Sequence, residues 1–416
     1  MHEYSPRKRW IFAFTASVLI LVVTVGGAGG VYFYSVYRRA YPLYQYLKNG
    51  VRGWRGRVHA PDQALGFAPL PSSSGLQTFS EGPPIPTLCD ENGCRIPAAA
   101  SRSAAATHPL LMALGCSFTY GDAVAEEDTY IWKAGEMLGW DTVNAGVCSY
   151  GLTQMLLRAR TLIPRLKPEV VIVQWSPWLV ERAKRALGPI GFLGAAPIPY
   201  FYETPGGLRV HGPVFQSILF DLPFEEFRET AAGTADFISF FFRAGLPLYF
   251  HDDLNMFLFN LKKRLGLVPE PGGDDWEIER AVFGEIAELA RANGGQAYIL
   301  NLPWGEEPQP PPDRFAELGI PIIDAQPRLL EKIPPLPPRG RRAAFGKLYT
   351  IYRGEPPHCV DKHPNPEAHR LIAEEIVRVL RRGPGPGAVP APPPAEATNG
   401  TVAPPVTAPP RPGASR

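Results

Sequence analysis

The chain has 416 residues, 45% of them hydrophobic, enough for one large domain or two ordinary ones. A formal net charge of +2 argues against a nucleic-acid partner, because gripping a phosphate backbone needs a concentrated basic face. Its 48 prolines gather in the C-terminal tail and in clusters such as Pro308–Pro312 and Pro334–Pro338, which mark linkers and excursions more than a folded core.

Residues 1–10 form a short basic tail. Residues 11–34 are uncharged and largely apolar, a run of roughly 24 residues, long enough to cross a ~30 Å hydrocarbon core as one helix. Tyr32, Tyr34, Tyr37, Tyr41 and Tyr44 follow where an aromatic belt would meet headgroups. An uncleaved membrane anchor is expected. A cleaved signal peptide is the competing reading, but the run exceeds a usual h-region and no clean small-residue cleavage site precedes the tyrosines. Arg7, Lys8 and Arg9 precede the run, and Arg38, Arg39, Lys48 and Arg52 follow it, so flanking charge does not set the orientation.

Residues 35–105, rich in Pro, Gly, Ser and Ala, read as a stalk leading into an ordered N-terminal segment. From residue 106 the pattern alternates. Leu110–Leu114 predicts a buried strand, Glu126–Leu138 a helix, Thr142–Asn144 a short strand, Leu152–Leu166 a helix, and Val170–Val173 a buried strand. Residues 185–275 interrupt this as a long aromatic-rich insertion. Trp276–Ala292 then has an apolar face, Ala297–Leu300 and Ile320–Ile323 read as strands, and a helix starts at Pro366 behind the N-cap Asn365. Strands alternating with helices predict a parallel sheet covered on both faces, with reactive residues at the strands' carboxyl ends. This α/β domain spans 106–382. Residues 383–416 are expected to be a disordered Pro-rich tail.

Two segments carry chemistry. The first strand runs into Gly115 and Ser117, and a helix follows, which presents a serine hydroxyl and free main-chain N–H groups at a strand end. Ser is also common in ordinary strand-to-helix turns. Near the C-terminus, Asp361 stands two residues before His363. That spacing lets a carboxylate orient one imidazole nitrogen while the other takes a proton from serine. His358, Cys359, Asp361, His363 and His369 are also crowded potential metal ligands, but they lack regular ligand spacing, and no metal site is expected. Cys89 and Cys94 bracket the turn-forming Asp90-Glu91-Asn92-Gly93. They read either as a disulfide, which would suit an oxidising compartment, or as two unrelated thiols.

Together these segments resemble the SGNH/GDSL hydrolases. Gly115-Cys116-Ser117-Phe118-Thr119-Tyr120-Gly121 resembles the first block of that superfamily. Asn144-Ala145-Gly146-Val147 with Tyr150-Gly151 is similar to the second, and Asp361 to His369 to the block holding the catalytic Asp and His. Asp62 with Leu65-Gly66-Phe67, and Asp90 to Arg95, look like the segments preceding this domain in membrane-anchored bacterial members. The resemblance covers roughly residues 60–382 and implies a three-layer, flavodoxin-like parallel-sheet fold behind an N-terminal transmembrane helix. It also implies a catalytic triad of Ser117, Asp361 and His363, and no cofactor. The N–H groups of Ser117 and Gly146 are the implied oxyanion donors. Where the family has an oxyanion Asn, this chain has Gln174-Trp175-Ser176-Pro177-Trp178, so Ser176 or Gln174 is the expected substitute.

The function implied is a serine esterase or acyl-transfer enzyme, anchored in the inner (cytoplasmic) membrane by a single pass with its catalytic domain outside. Its expected substrate is a small acyl ester, acetyl foremost, on an envelope or secreted glycan. Trp175, Trp178, Tyr200 and Tyr202 are candidate sugar-stacking residues. The alternatives are an O-acyltransferase of surface polysaccharide working within an export or modification complex, and a catalytically silent glycan-binding scaffold. A lipid esterase would instead need an apolar tunnel lined by Phe240, Phe241 and Phe242.

Overall fold

The computed structural model describes residues 6–49, 52–79, 81–98, 109–190, 194–221, 234–305, 307, 309 and 311–383. The expected tail of 383–416 lies outside these residues save for Gly383, and the basic N-terminal tail lies partly outside them.

Nine strands form one sheet: β1 Arg52–Arg55, β2 Ser74–Phe79, β3 Ile85–Cys89, β4 Arg95–Ile96, β5 Leu110–Leu114, β6 Asp141–Asn144, β7 Val170–Trp175, β8 Gln296–Asn301 and β9 Ile322–Asp324. Their order is β1-β2-β3-β4-β6-β5-β7-β8-β9. The five strands from β5 onward are mutually parallel, in the 2-1-3-4-5 order of flavodoxin-like sheets. Strand β7 is Val-Val-Ile-Val-Gln-Trp and buried at every position, as a central strand covered on both faces must be.

The helices α1 Pro6–Asn49, α2 Ser117–Tyr120, α3 Tyr130–Leu138, α4 Leu152–Leu166, α5 Pro177–Ala183, α6 Leu246–Arg264, α7 Asp275–Ala292 and α8 Pro366–Arg382 complete the frame used below. Helix α8 packs on α3, while α4, α5 and α7 pack on one another, giving a helical layer on each side of the sheet. Asn365 caps α8 by accepting from the Ala368 N–H, and Pro366 occupies its first turn, as expected. The helix expected from Glu126 is broken. A short 3₁₀ turn ends at Asp128, and Thr129 then caps α3 through its side chain.

Two features depart from the expected organisation. Strands β1 to β4 extend the same sheet antiparallel from the β6 edge, so the N-terminal segment completes the domain. Helix α1 also continues well past residue 34. Trp10–Gln45 is long and apolar enough to cross a membrane, but Val36, Ala40, Leu43 and Tyr44 are buried against Phe237, Phe240 and Phe241 of the insertion.

The expected Cys89–Cys94 disulfide is not formed, and both sulfurs are thiols. Cys89 lies directly opposite Arg95 in the β3–β4 ladder. Side chains alternate faces along a strand, so Cys94, one residue before Arg95, points to the other side. The turn is present, but the two sulfurs face opposite ways.

Candidate active site

Strand β5 delivers the chain to Gly115 at the carboxyl edge of the sheet, and Ser117 opens the single turn of α2. Gly115 is required by space. A Cβ there would fall 1.8 Å from Thr119 Oγ1 and 2.5 Å from Gln174 Oε1. Gly146, at the end of β6, is equally confined, since its Cβ would meet the Tyr120 nitrogen at 2.5 Å. These close approaches bring the first and second sequence blocks against each other.

Ser117, His363 and Asp361 come together. His363 Nε2 lies 2.8 Å from Ser117 Oγ, and His363 Nδ1 lies 2.6 Å from Asp361 Oδ1. The same carboxylate oxygen accepts from the His363 backbone N–H at 2.7 Å, which locks the ring to its own main chain. A carboxylate only accepts, so Nδ1 carries the proton and Nε2 offers its lone pair to the serine hydroxyl. Asp361 is buried at the end of the His358–Asp361 strand, whereas His363 and Ser117 keep an opening to solvent.

A second carboxylate was not anticipated. Asp122 Oδ2 stands 3.6 Å from His363 Nδ1. The Asp122 N–H donates to the Ser117 carbonyl, so its position one turn beyond Ser117 was the available signal. Asp122, Asp361 and His363 place three donor atoms within 4.8 Å of one another. The rest of the crowded C-terminal set disperses. His358 is exposed beside Glu81, and the Cys359 thiol donates to the Asp361 carbonyl. His369 is buried with Nδ1 accepting from the Tyr130 N–H, and burial pushes its pKa down to about 3.

The expected oxyanion donors fare unevenly. The Ser117 N–H, at the start of α2, has no acceptor among the described residues. The Gly146 N–H is already engaged, donating to Asn144 Oδ1 at 3.1 Å. Ser149, in the same loop, holds a left-handed φ of +68°, and its N–H has no acceptor among the described residues. Gln174 and Ser176 are both fully buried and committed elsewhere. Gln174 Oε1 accepts from Thr119 Oγ1 and the Cys116 N–H, and its Nε2 donates to Ser176 Oγ at 2.9 Å. Ser176 Oγ in turn donates to the Leu302 carbonyl at 2.8 Å. The pair braces the ends of β5, β7 and β8 behind Ser117, and with Gln174 Nε2 also donating to Cys116 Sγ at 3.3 Å it has no donor left for an oxyanion.

The aromatic residues separate as well. Trp178 meets Phe118 edge-on at 5.3 Å, Trp304 does so at 5.2 Å, and Phe118 contacts the His363 ring at 5.4 Å. Trp178 and Trp304, both half-buried, thus form an aromatic wall on Phe118, which itself adjoins His363. Trp304 follows β8 and carried no motif in the sequence. Trp175 instead points into the core, where its indole N–H donates to Glu279. Tyr200 is buried, stacked on His211 and bonded to the Pro269 carbonyl, and Tyr202 meets the same His211 ring. These two tyrosines belong to the insertion's own cluster with Ala186 and Phe259. Phe240 and Phe241 pack on α1, so neither is available to line a tunnel to Ser117.

Behind the turn lies a buried polar network. Arg95, on β4, donates to the carbonyls of Tyr120 (2.7 Å), Gly121 (2.6 Å) and Val124 (2.6 Å). Its Nε lies 3.6 Å from Glu126, which accepts from Asn144 Nδ2 at 2.9 Å. Burial raises the Glu126 pKa to about 8, outweighing the opposing pull of Arg95. The network joins β4, the Ser117 turn and the loop after β6.

No family model matches the chain, and no curated protein matches it in sequence. Among solved structures, it is similar to one described as a lipolytic protein of the G-D-S-L family from Desulfitobacterium hafniense. That match has 12% identity and a TM-score of 0.29, and covers 65% of this chain and 98% of that one. It is also similar to a variant of an acetyl-xylooligosaccharide esterase from Geobacillus stearothermophilus, at 12% identity and a TM-score of 0.33, covering 66% and 94% of the two chains. A GDSL-like lipase from Bacteroides thetaiotaomicron matches at 13% identity and a TM-score of 0.29, covering 66% and 88%.

Proposed function

We propose that this chain is a membrane-anchored serine esterase or acyl-transfer enzyme of the SGNH/GDSL type, with Ser117 as nucleophile, His363 as base and Asp361 as its orienting carboxylate. The observation that carries this reading is the 2.8 Å approach of His363 Nε2 to the Ser117 hydroxyl, with Asp361 on the opposite ring nitrogen. His363 takes the serine proton as Oγ attacks the ester carbonyl, and the new C–O bond gives a tetrahedral oxyanion. Main-chain donors receive that charge, the Ser117 N–H first and an N–H of the β6 loop second. The imidazolium returns its proton to the departing alcohol, leaving an acyl-serine. Water or a sugar hydroxyl then attacks, with His363 again acting as base.

For the substrate we propose a small acyl group, acetyl foremost, on an envelope or secreted glycan. Trp178 and Trp304 beside His363 support this, because half-exposed indoles stack on sugar faces, while Phe240 and Phe241 are occupied by α1. The domain is proposed to lie on the outer side of the cytoplasmic membrane. With no disulfide at Cys89, that orientation rests on the family resemblance alone. An O-acyltransferase within a polysaccharide-modification complex uses the same acyl-serine with a sugar acceptor.

A catalytically silent, glycan-binding scaffold is the second reading. The commitment of Gln174 and Ser176 favours it, since loss of one oxyanion donor costs about 10²–10³ in turnover. Turnover of acetyl, butyryl and palmitoyl esters by the purified chain and by Ser117→Ala tests both readings. Acetyl-preferring activity lost in Ser117→Ala supports the enzyme. Absent activity supports the scaffold, and a palmitoyl preference contradicts the glycan substrate.

A further inference from the structure

Helix α6 has an apolar face that nothing among the described residues covers. Phe250, Leu254, Phe257, Leu258, Leu261 and Leu265 recur at helical spacing and are exposed, Phe257 at 64% and Leu265 at 63%. The opposite face is occupied, with Leu248 and Phe259 buried against the rest of the insertion. Ile238 and Phe242, on the helical segments preceding α6, are exposed as well. A contiguous apolar patch of this kind on a folded chain marks a contact with something apolar.

Its position relative to α1 identifies what that is. The Phe250 ring meets Tyr32 at 6.5 Å, and Asp253 accepts from the Tyr32 hydroxyl at 3.0 Å. Phe241 and Phe242 meet Phe33 at 4.9 Å and 6.1 Å. The uncharged stretch of α1 ends at Tyr37, before Arg38 and Arg39, so α6 meets α1 at the level where a spanning helix leaves the hydrocarbon. The junction is well fastened. Arg39 binds both oxygens of Asp253, at 2.8 Å and 2.6 Å, and a Cβ on Gly245 would come within 2.9 Å of the Ala40 Cβ. Lys262, Lys263 and Arg264 close the helix with cations suited to anionic headgroups.

We propose that the outer face of α6 lies in the headgroup–acyl boundary of the bilayer that α1 spans, as an interfacial amphipathic helix. The anchor and α6 together form a two-point mount. They fix the height and tilt of the domain relative to the bilayer, so it cannot swing freely on a stalk. The proposal rests on Trp10–Tyr34 spanning the membrane and is independent of the chemistry at Ser117.

The test uses the full chain in vesicles of phosphatidylcholine and phosphatidylglycerol. The vesicles carry a phospholipid with a photoactivatable diazirine near the carboxyl end of one acyl chain, and adducts are mapped by mass spectrometry after irradiation. Lipid adducts are expected on α1 and also on the Phe250–Leu265 face. In the variant Phe250→Ser/Phe257→Ser/Leu261→Ser, the α6 adducts fall about tenfold or more while the α1 adducts persist. These side chains are exposed, so the variant's melting temperature in detergent stays at the wild-type value. Adducts on α1 without any on α6 overturn the proposal, as do chain-to-chain crosslinks through the α6 stripe in place of lipid adducts. Absence of adducts on both helices removes the spanning reading and the proposal with it, while leaving the esterase reading untouched.

Discussion

The guanidinium of Arg95, wholly buried on β4, donates to the Tyr120 carbonyl at 2.7 Å, at the end of the turn that Ser117 begins. Gly121 and Val124 accept from the same group, so a residue of the Asp90–Arg95 segment shapes the backbone after Ser117. Arg95→Met takes the guanidinium from all three carbonyls, leaving Tyr120 and Gly121 only the longer bonds from Asn144 Nδ2 (3.4 Å) and the Val124 N–H (3.3 Å), and is expected to cost about 3 kcal/mol of stability. Arg95→Lys keeps the charge but not the fork and should retain the fold at reduced turnover. Thermal unfolding and kcat of the two variants check this. A lysine variant with wild-type kcat would remove Arg95 from the positioning of Ser117.

The two carboxylates near His363 are not equivalent. Asp361 holds Nδ1 at 2.6 Å, whereas Asp122 stands off at 3.6 Å. Asp361→Asn should lower kcat by roughly 10⁴, because the imidazole is then held in the wrong tautomer. Asp122→Asn should lower it by less than about tenfold, as expected of a nearby charge that does not orient the ring. Equal losses in steady-state kinetics would mean that the roles are shared.

Ser176 offers a sharp distinction between brace and oxyanion donor. Its hydroxyl is buried between Gln174 Nε2 and the Leu302 carbonyl. Ser176→Ala should therefore cost about 1–3 kcal/mol in stability and change kcat/KM by only a few-fold. An oxyanion donor would show about 10²–10³ in kcat instead, with little change in stability.

Glu126 makes stability depend on pH. Burial lifts its pKa from 4.5 to about 8, so the folded state favours the protonated form more than the unfolded chain does. Its contribution is present in full below the unfolded value and is lost as pH rises through about 8. Glu126→Gln cannot lose a proton, so its melting temperature relative to wild type should rise between pH 5 and pH 9. A difference that is constant over that range would contradict the linkage.

Much of the parallel half of the sheet was legible because local signals agreed there. Val170–Val173 is a run of β-branched residues between turn signals, Leu152–Leu166 has a helical apolar pattern, and Asn365-Pro366 is a strong helix start. The approach of Ser117, His363 and Asp361 was also legible, since Ser117 and the Asp361–His363 pair each sit at a strand end or before the last helix. What escaped was non-local or depended on facing. Strand β4 is only Arg95–Ile96, too short to carry a period, yet it joins the N-terminal strands to the sheet. Cys89 and Cys94 were bracketed correctly by their turn, but a one-residue offset decides which face a side chain takes. Aromatic content alone did not separate Trp178, beside Phe118, from Trp175 and Tyr200, which are buried elsewhere. Trp304 reaches the site only through the course of the chain after β8.

Whether Ser117 is a nucleophile activated by His363 is decided by covalent labelling of the full chain with a fluorophosphonate. One adduct is expected, mapped to the Ser117 peptide, absent from Ser117→Ala and strongly slowed in His363→Ala. A folded chain that takes no label, or one labelled equally in Ser117→Ala, would contradict the proposed role of Ser117.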